Sequence, residues 1–406
     1  MTTAEIIHLI LYWSNSMKTE YKYIVLGCGG IGSGTAYWLA RRAGGEVLGL
    51  EQFELGHVHG GSQDHSRIIR LTYHHENYTR LTPHTYTAWA ELESESAVRV
   101  VTKTGGIELA LKDGPYQKDI EMYAGAMDVA AIPYERFGSD EVVRRFPQFR
   151  LDEDVDALWQ ADTGIADAAK GNAAHIGMAR WYGATILEHC GVESIRPFEG
   201  GVDVKTQSGT FSCQRLIITA GAWVDQVLAD LGLSLGVTVT QEQVTYYATP
   251  NLKEFSIGNF PIFLWHGEAA FYGFPVYGEV ATKAAVDASG PAVTPQTRTY
   301  EPDKAREQRV EDWLQKYIPG FLGPKLYTKT CLYAMPKDRN FVIDRVPKHP
   351  QIIVCNGAGH AYKFAALLGK ILSQLAIDGR TEYPVEPFSL QRPAITDPTY
   401  TASFHI

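Results

Sequence analysis

The sequence predicts an α/β protein: a parallel nucleotide-binding sheet assembled from separated stretches of chain, plus a second region of mixed sheet and helices. Three observations carry this. Residues 23–26, a short apolar β-rich run, lead into Gly27, Gly29 and Gly32 with the spacing G-x-G-x-x-G and then into a helical stretch, residues 31–42. A second apolar strand followed by glycines, residues 351–356 and then Gly357-Ala358-Gly359-His360, stands near the other end of the chain. The β-rich pieces between them, including residues 259–286, fall outside the first βαβ unit and form the second region.

In the first unit each piece has a physical role. Gly27 allows the tight turn, Gly29 lets the backbone approach a pyrophosphate, and Gly32 lets helix and strand pack closely. The helix N-terminus offers unpaired N–H groups and a partial positive charge to phosphates. Gly44-Gly45 stops the helix, residues 46–50 form a second buried strand, and Glu51 at its end can accept hydrogen bonds from ribose hydroxyls. Strand, glycines, helix, strand and acid in that order predict a dinucleotide site. An acid at the sugar disfavours a phosphate there, so FAD or NAD is expected over NADP.

Further on, Gly60-Gly61-Ser62 is a loop, and Arg67 and Arg70 follow close together. Five histidines lie here (His57, His59, His65, His74, His75), without the carboxylate framework of a metal site, so they are expected to be solvated or hydrogen-bonded and no metal is expected. Residues 78–92 read as a helix. Residues 98–111 alternate like strands around Gly105-Gly106. Residues 168–182 read as a helix, and 185–188 and 201–206 as strands. Residues 215–220 form a buried strand ending in Gly221-Ala222-Trp223. Residues 259–286 are strand-rich and hold Lys283, and residues 365–377 form an apolar closing helix. The expected division is a nucleotide domain from residues 18–101, 167–231 and 339–395, a substrate domain from 102–166 and 232–338, and an extension over residues 1–17.

The 406 residues, 45% hydrophobic and 20% charged, can bury a large core, and two domains are expected. A formal net charge of -9 argues against a nucleic-acid partner. No apolar run is long enough to span a membrane. Five cysteines, an odd number without zinc spacing, do not form a secreted disulfide framework, so a cytoplasmic setting is expected.

From residue 23 to about 393 the chain resembles the monomeric sarcosine oxidase and N-methyltryptophan oxidase group of FAD-dependent amine oxidases. The resemblance rests on G-C-G-G-I-G, which includes Gly30, then Ser66-Arg67-Ile68-Ile69-Arg70 with Tyr73, Thr102-Lys103-Thr104-Gly105 and Gly221-Ala222-Trp223. It continues through Tyr272-Gly273-Phe274-Pro275, Lys283, Cys331-Leu332-Tyr333, Phe341-Val342-Ile343-Asp344 and Gly359-His360-Ala361-Tyr362-Lys363-Phe364. It implies a Rossmann-like FAD domain covered by a mixed-sheet domain, in a monomer. It also implies that Cys331 carries the flavin through a thioether. Lys283 contacts the flavin through water and promotes its reaction with molecular oxygen. Arg70 and Lys363 hold the substrate carboxylate, Arg67 lies against the flavin, and His360, Tyr272 and Tyr333 line the substrate cavity. Ser62, Gly221, Gly357 and Gly359 join the cofactor-binding positions on the same basis.

The activity implied is oxidation of a secondary amino acid to an imine that hydrolyses, with oxygen reduced to hydrogen peroxide. This chain departs from the group in having Asp287 where sarcosine-type members carry a histidine, in a loop one residue shorter at 357–360, and in the leading residues. Asp287 is expected either to pair with Arg70 or Lys363 or to face the substrate, which would favour a substituent larger than methyl. Fructosyl amino acids and cyclic imino acids such as pipecolate stand as other substrates. An NAD-dependent dehydrogenase and a flavin-bearing module of a larger assembly stand as other classes.

Overall fold

The structure, a computed structural model, describes residues 18–404. The expected extension, residues 1–17, lies outside the described residues. Two eight-stranded sheets dominate, with a small three-stranded sheet beside them.

The nucleotide sheet draws on both ends of the chain. Strand Glu20–Leu26 lies between Val47–Leu50 and Gly209–Ile218, parallel to both. Strand His349–Asn356 pairs in parallel with the end of Gly209–Ile218, and Thr185–Leu187 forms the far edge. Only their inner ends, residues 24–26, 47–50, 216–218 and 352–354, are runs of buried Val, Ile and Leu, interrupted by Gly49, as a sheet covered on both faces requires. One face is covered by the helices Gly30–Ala43, Ala168–Trp181 and Ala365–Asp378, whose Tyr37, Leu39, Leu367, Leu368 and Ile371 are fully buried. On the other face Leu216, Ile218, Val224 and Leu228 form a separate core. The first and last of the covering helices approach through glycines: a Cβ on Gly369 would lie 2.4 Å from the Gly34 carbonyl carbon.

The second sheet runs in the order Lys325–Met335, Thr238–Tyr247, Thr282–Val286, Phe271–Phe274, Ile262–His266, Gly106–Leu111, Val155–Gln160 and Glu135–Gly138. Its core is aromatic, with Phe255, Phe260, Phe263 and Phe321 fully buried under the helix Lys304–Tyr317. The third sheet, Arg67–Ile69, Gly164–Ala166 and Val101–Lys103, sets the Arg67 and Arg70 segment between the two large ones.

The helix expected over residues 78–92 is two helices, Glu76–Thr79 and Thr82–Ser96. Pro83 explains the break: without an N–H it is tolerated in a first turn and not in a helix interior, and the Thr82 hydroxyl donates to Leu71 O at 3.0 Å. Strand Val47–Leu50 begins one residue later than expected, because Glu46 closes a 3-10 turn. The strand expected over 215–220 is the inner end of the longer Gly209–Ile218. Among the described residues no helix is long and apolar enough to cross a membrane.

Candidate active site

The glycine turn after strand Glu20–Leu26 is built as a cradle. Gly27 has φ +86°, a left-handed conformation, and a Cβ on Gly32 would lie 1.7 Å from Gly27 O. Gly32 is therefore a packing position and faces no cavity. Ser33 N donates to Gly29 O at 2.8 Å to open the helix, and Gly30 N donates to Ser62 Oγ at 2.9 Å. A cavity of about 600 Å³ opens above the turn, bounded by Gly27, Gly29, Glu51, Ser62, Gly221 and Gly357. Glu51 accepts from Cys28 N at 2.9 Å and Phe53 N at 3.1 Å. Burial works against its charge, but hydrogen bonds from His57 and Cys28 overcome that and hold the carboxyl below its usual range. Backbone bared by glycine, a helix N-terminus and an ionised acid on one long cavity fit the pyrophosphate and ribose of FAD.

The cavity continues into a second one of about 220 Å³, with Gly30, Ser62, Gly221 and Gly357 on both walls. Here the structure gathers the remaining expected residues. Arg67 and Arg70 come from the small sheet, Tyr272, Lys283, Cys331 and Tyr333 from the large one, and Gly359, His360 and Lys363 from the loop after His349–Asn356. Asp287 lines it too, one residue beyond strand Thr282–Val286. Among the described residues no three His, Cys, Asp or Glu are placed to hold a metal.

The cations of this cavity differ in their partners. Lys283 Nζ donates to Asp64 Oδ2 at 2.8 Å and to Ser66 O and Oγ, both at 2.9 Å. Burial brings its ammonium down to about 8, opposed by Asp64. Asp64, itself in a left-handed conformation at φ 81°, also accepts from Lys329 at 3.1 Å and Tyr246 OH at 2.8 Å, and lies 3.6 Å from Arg67. Three cations thus surround one buried carboxylate. Arg70 is bound by Glu108 at 2.6 Å, and Glu108 also meets His266 at 2.8 Å and accepts from Thr72 at 2.7 Å. Burial raises the Glu108 carboxyl, yet Arg70 and His266 pull it down to about 2.

Lys363 is different. It donates to Tyr73 OH at 3.1 Å and His360 O at 2.9 Å, and makes no ion pair with any described residue. Burial first, then Arg70, pushes its ammonium well below the ordinary lysine value. Burial, Arg339 and Lys363 likewise keep His360 uncharged, its Nδ1 2.9 Å from Tyr73 OH. Burial raises the Cys331 thiol, with Arg67 acting in the opposite direction.

Asp287 pairs with neither Arg70 nor Lys363. Its partner is Arg339, at 2.8 Å. Arg70 is taken by Glu108, and Arg339, which sequence reasoning did not single out, reaches Asp287 from the turn after Met335. Asp64, Glu108 and Tyr73 were also missed as site residues. Glu108 left a sequence signal, an acid in the apolar run GIELAL, where a buried charge needs a partner, and Tyr73 stood in the motif that carries the resemblance.

Comparison with known proteins agrees with this geometry. A family model described as FAD dependent oxidoreductase matches residues 22–375. The chain is 32% identical over 388 residues to a monomeric sarcosine oxidase of Streptomyces avermitilis, covering 93% of this chain and 98% of that protein. It is 26% identical over 379 residues to an N-methyl-L-tryptophan oxidase of Yersinia pestis, covering 92% and 99%. Among solved structures, NikD, an unusual amino acid oxidase essential for nikkomycin biosynthesis, superposes with a TM-score of 0.81 at 28% identity, over 92% of this chain and 98% of that one. With its glycine cradle, split nucleotide sheet and enclosed cationic cavity, the chain belongs to the FAD-dependent oxidoreductase family, alongside the monomeric sarcosine oxidases.

Proposed function

We propose that the protein is an FAD-dependent oxidase of N-substituted amino acids, converting the C–N bond to an imine that hydrolyses and reducing oxygen to hydrogen peroxide. The observation that carries this reading is Lys363, a buried lysine head group on the cavity wall whose hydrogen bonds go only to neutral oxygens and which makes no ion pair with any described residue. Such a group calls for an anion from outside, and an amino acid brings one beside its amine.

Gly27, Gly29, Gly30 and the helix they open would hold the pyrophosphate of FAD, and Glu51 the ribose. Gly32 keeps that turn closed. Ser62, Gly221, Gly357 and Gly359 would border the rest, with Arg67, His360 and Lys363 at the ring end. When bound, FAD supplies a hydride acceptor and passes the electrons on to oxygen.

The chain's own residues do the rest. Lys363 binds the substrate carboxylate as a point charge. Arg70, already fixed by Glu108, lends the same wall a forked donor of defined direction. Tyr272, Tyr333 and the uncharged ring of His360 close the cavity around the amine. The surrounding cations disfavour an ammonium there and so release the nitrogen lone pair. Lys283, anchored by Asp64, keeps a positive charge where negative charge would develop on oxygen. We further infer a cytoplasmic setting, supported by none of the five cysteines forming a disulfide, and a monomer, supported by the likeness to the monomeric sarcosine oxidases.

The test is peroxide release from the purified yellow protein against sarcosine, pipecolate, N-methyltryptophan and a fructosyl amino acid. Turnover of at least one is expected. No peroxide with any secondary amine, or reduction of a nicotinamide instead, would refute the reading.

Cys331 is the attachment point we propose for the flavin, its thiol facing the cavity on strand Lys325–Met335. After acid precipitation the colour is expected in the pellet, and in the supernatant for Cys331→Ala. Colour wholly in the supernatant of the unaltered protein would sink the assignment.

A further inference from the structure

Asp64 places a carboxylate where the backbone favours glycine. Its φ of 81° is left-handed and strains a residue with a side chain, a state that persists only where the surroundings over-determine it. Those surroundings are specific. Asp64 O accepts from Ala169 N at 3.0 Å, which ties the segment to helix Ala168–Trp181. The side chain is 2% exposed, and each of its oxygens has its own lysine. Oδ2 accepts from Lys283 at 2.8 Å, with Arg67 3.6 Å away, and Oδ1 accepts from Lys329 at 3.1 Å. Tyr246 OH lies 2.8 Å from both oxygens. Lys329 is 35% exposed, so the carboxylate bridges one buried lysine and one that reaches solvent.

We infer that Asp64 is a positioning residue for the oxygen reaction: it fixes the place of the Lys283 head group and keeps it charged, and Lys329 opposes it by sharing the same carboxylate. This rests on the reading that Lys283 serves that reaction. Asp64 is the only carboxylate paired with Lys283 among the described residues. Strand Thr238–Tyr247 brings the Tyr246 ring to 5.5 Å from the Lys283 nitrogen, and strand Phe271–Phe274 brings the Phe274 ring to 4.7 Å. Strand Lys325–Met335 brings Lys329 and Cys331, and the segment 64–67 adds His65, Ser66 and Arg67. Burial raises the Tyr246 hydroxyl and the Cys331 thiol, so neither carries a negative charge, and burial lowers His65. Arg67 repels the Lys283 ammonium. Without Asp64, burial and the neighbouring cations would together drive the proton from Lys283.

The midpoint potential of the flavin in the holoenzyme reads this without turnover of any amine. Reduction adds negative charge to the cavity and favours a charged lysine. Above the lysine's pKa, reduction therefore draws in an additional proton, and the potential falls more steeply with pH. In the parent that break is expected at about pH 8. Asp64→Asn keeps the shape, and asparagine tolerates the left-handed conformation. Its break is expected about one to three pH units lower. Lys329→Gln removes the rival cation, so its break is expected above the parent's. Lys283→Met should show none. The oxygen reaction gives a second signature. At pH 8, Asp64→Asn is expected to react about tenfold or more slowly than the parent and to regain the parental rate as the pH falls. Lys283→Met cannot recover in this way. Should Asp64→Asn not fold, the upward shift in Lys329→Gln decides alone. A break unmoved in either folded variant, or a rate loss that acidification does not restore, overturns the role. Shifted breaks without peroxide from any amine leave Asp64 in control of Lys283 and remove the oxidase reading.

Discussion

Replacing Lys283 with methionine is expected to slow the reaction of the substrate-reduced enzyme with oxygen by about a thousandfold, while reduction by substrate slows far less. A unit charge about 4 Å from developing negative charge is worth about 4 kcal/mol at the effective permittivity of such sites, and each ~1.4 kcal/mol is tenfold in rate. Asp64 does not cancel the effect, because Lys283, Lys329 and Arg67 all surround that one carboxylate and leave the cluster positive. The same geometry fixes a pH dependence. Burial brings the Lys283 ammonium down to about 8. The cation is present below that pH and is lost as the pH rises through it, so the oxygen reaction should decline above pH 8 in the parent. The methionine variant should show no such decline. Stopped-flow mixing of reduced enzyme with oxygenated buffer measures both, and matching rates for parent and variant would remove Lys283 from the role.

Lys363→Met is expected to weaken binding of a carboxylate ligand by roughly a hundredfold, since one partner of a buried, hydrogen-bonded charge pair is worth about 2–5 kcal/mol. A second signature comes from its environment. Burial and Arg70 hold the free ammonium well below its ordinary pKa. An arriving carboxylate favours the charged form and draws a proton on. Binding should therefore take up protons and weaken as the pH rises through the lysine's depressed pKa. Calorimetry in buffers of different ionisation enthalpy reads that uptake, and the methionine variant should lack it. Pipecolate or another carboxylate binding equally well to both proteins would place the carboxylate elsewhere.

Much of the fold was legible because its signals are local. Strand Glu20–Leu26, the glycine turn and helix Gly30–Ala43 follow from a run of a few dozen residues, and helix Ala365–Asp378 from its own apolar face. The break at Pro83 was legible in principle and was overridden by the helical pattern on either side. The site was legible as a set of residues but not as a set of pairs. Lys283 meets Asp64, Arg70 meets Glu108 and Asp287 meets Arg339 only after folding brings distant segments together. Asp287 shows the consequence. Its charge announced a need for a partner, and the nearest cations by function, Arg70 and Lys363, were the wrong ones. Nothing in MPKDRNF marks Arg339 as a wall of the cavity rather than a surface arginine.

The stitching of the nucleotide sheet bears on how the chain is made. Strand Glu20–Leu26 leaves the ribosome early, but its neighbour Gly209–Ile218 follows much later, and His349–Asn356 later still. Helix Gly30–Ala43 must wait for Ala365–Asp378 before its glycine-faced surface is covered. A nascent chain therefore carries an incomplete cofactor cradle, with apolar surface open to chaperones, until translation is almost finished. Sequence-distant pairings of this kind also slow folding. A message truncated before residue 349 should yield aggregate rather than a smaller flavoprotein.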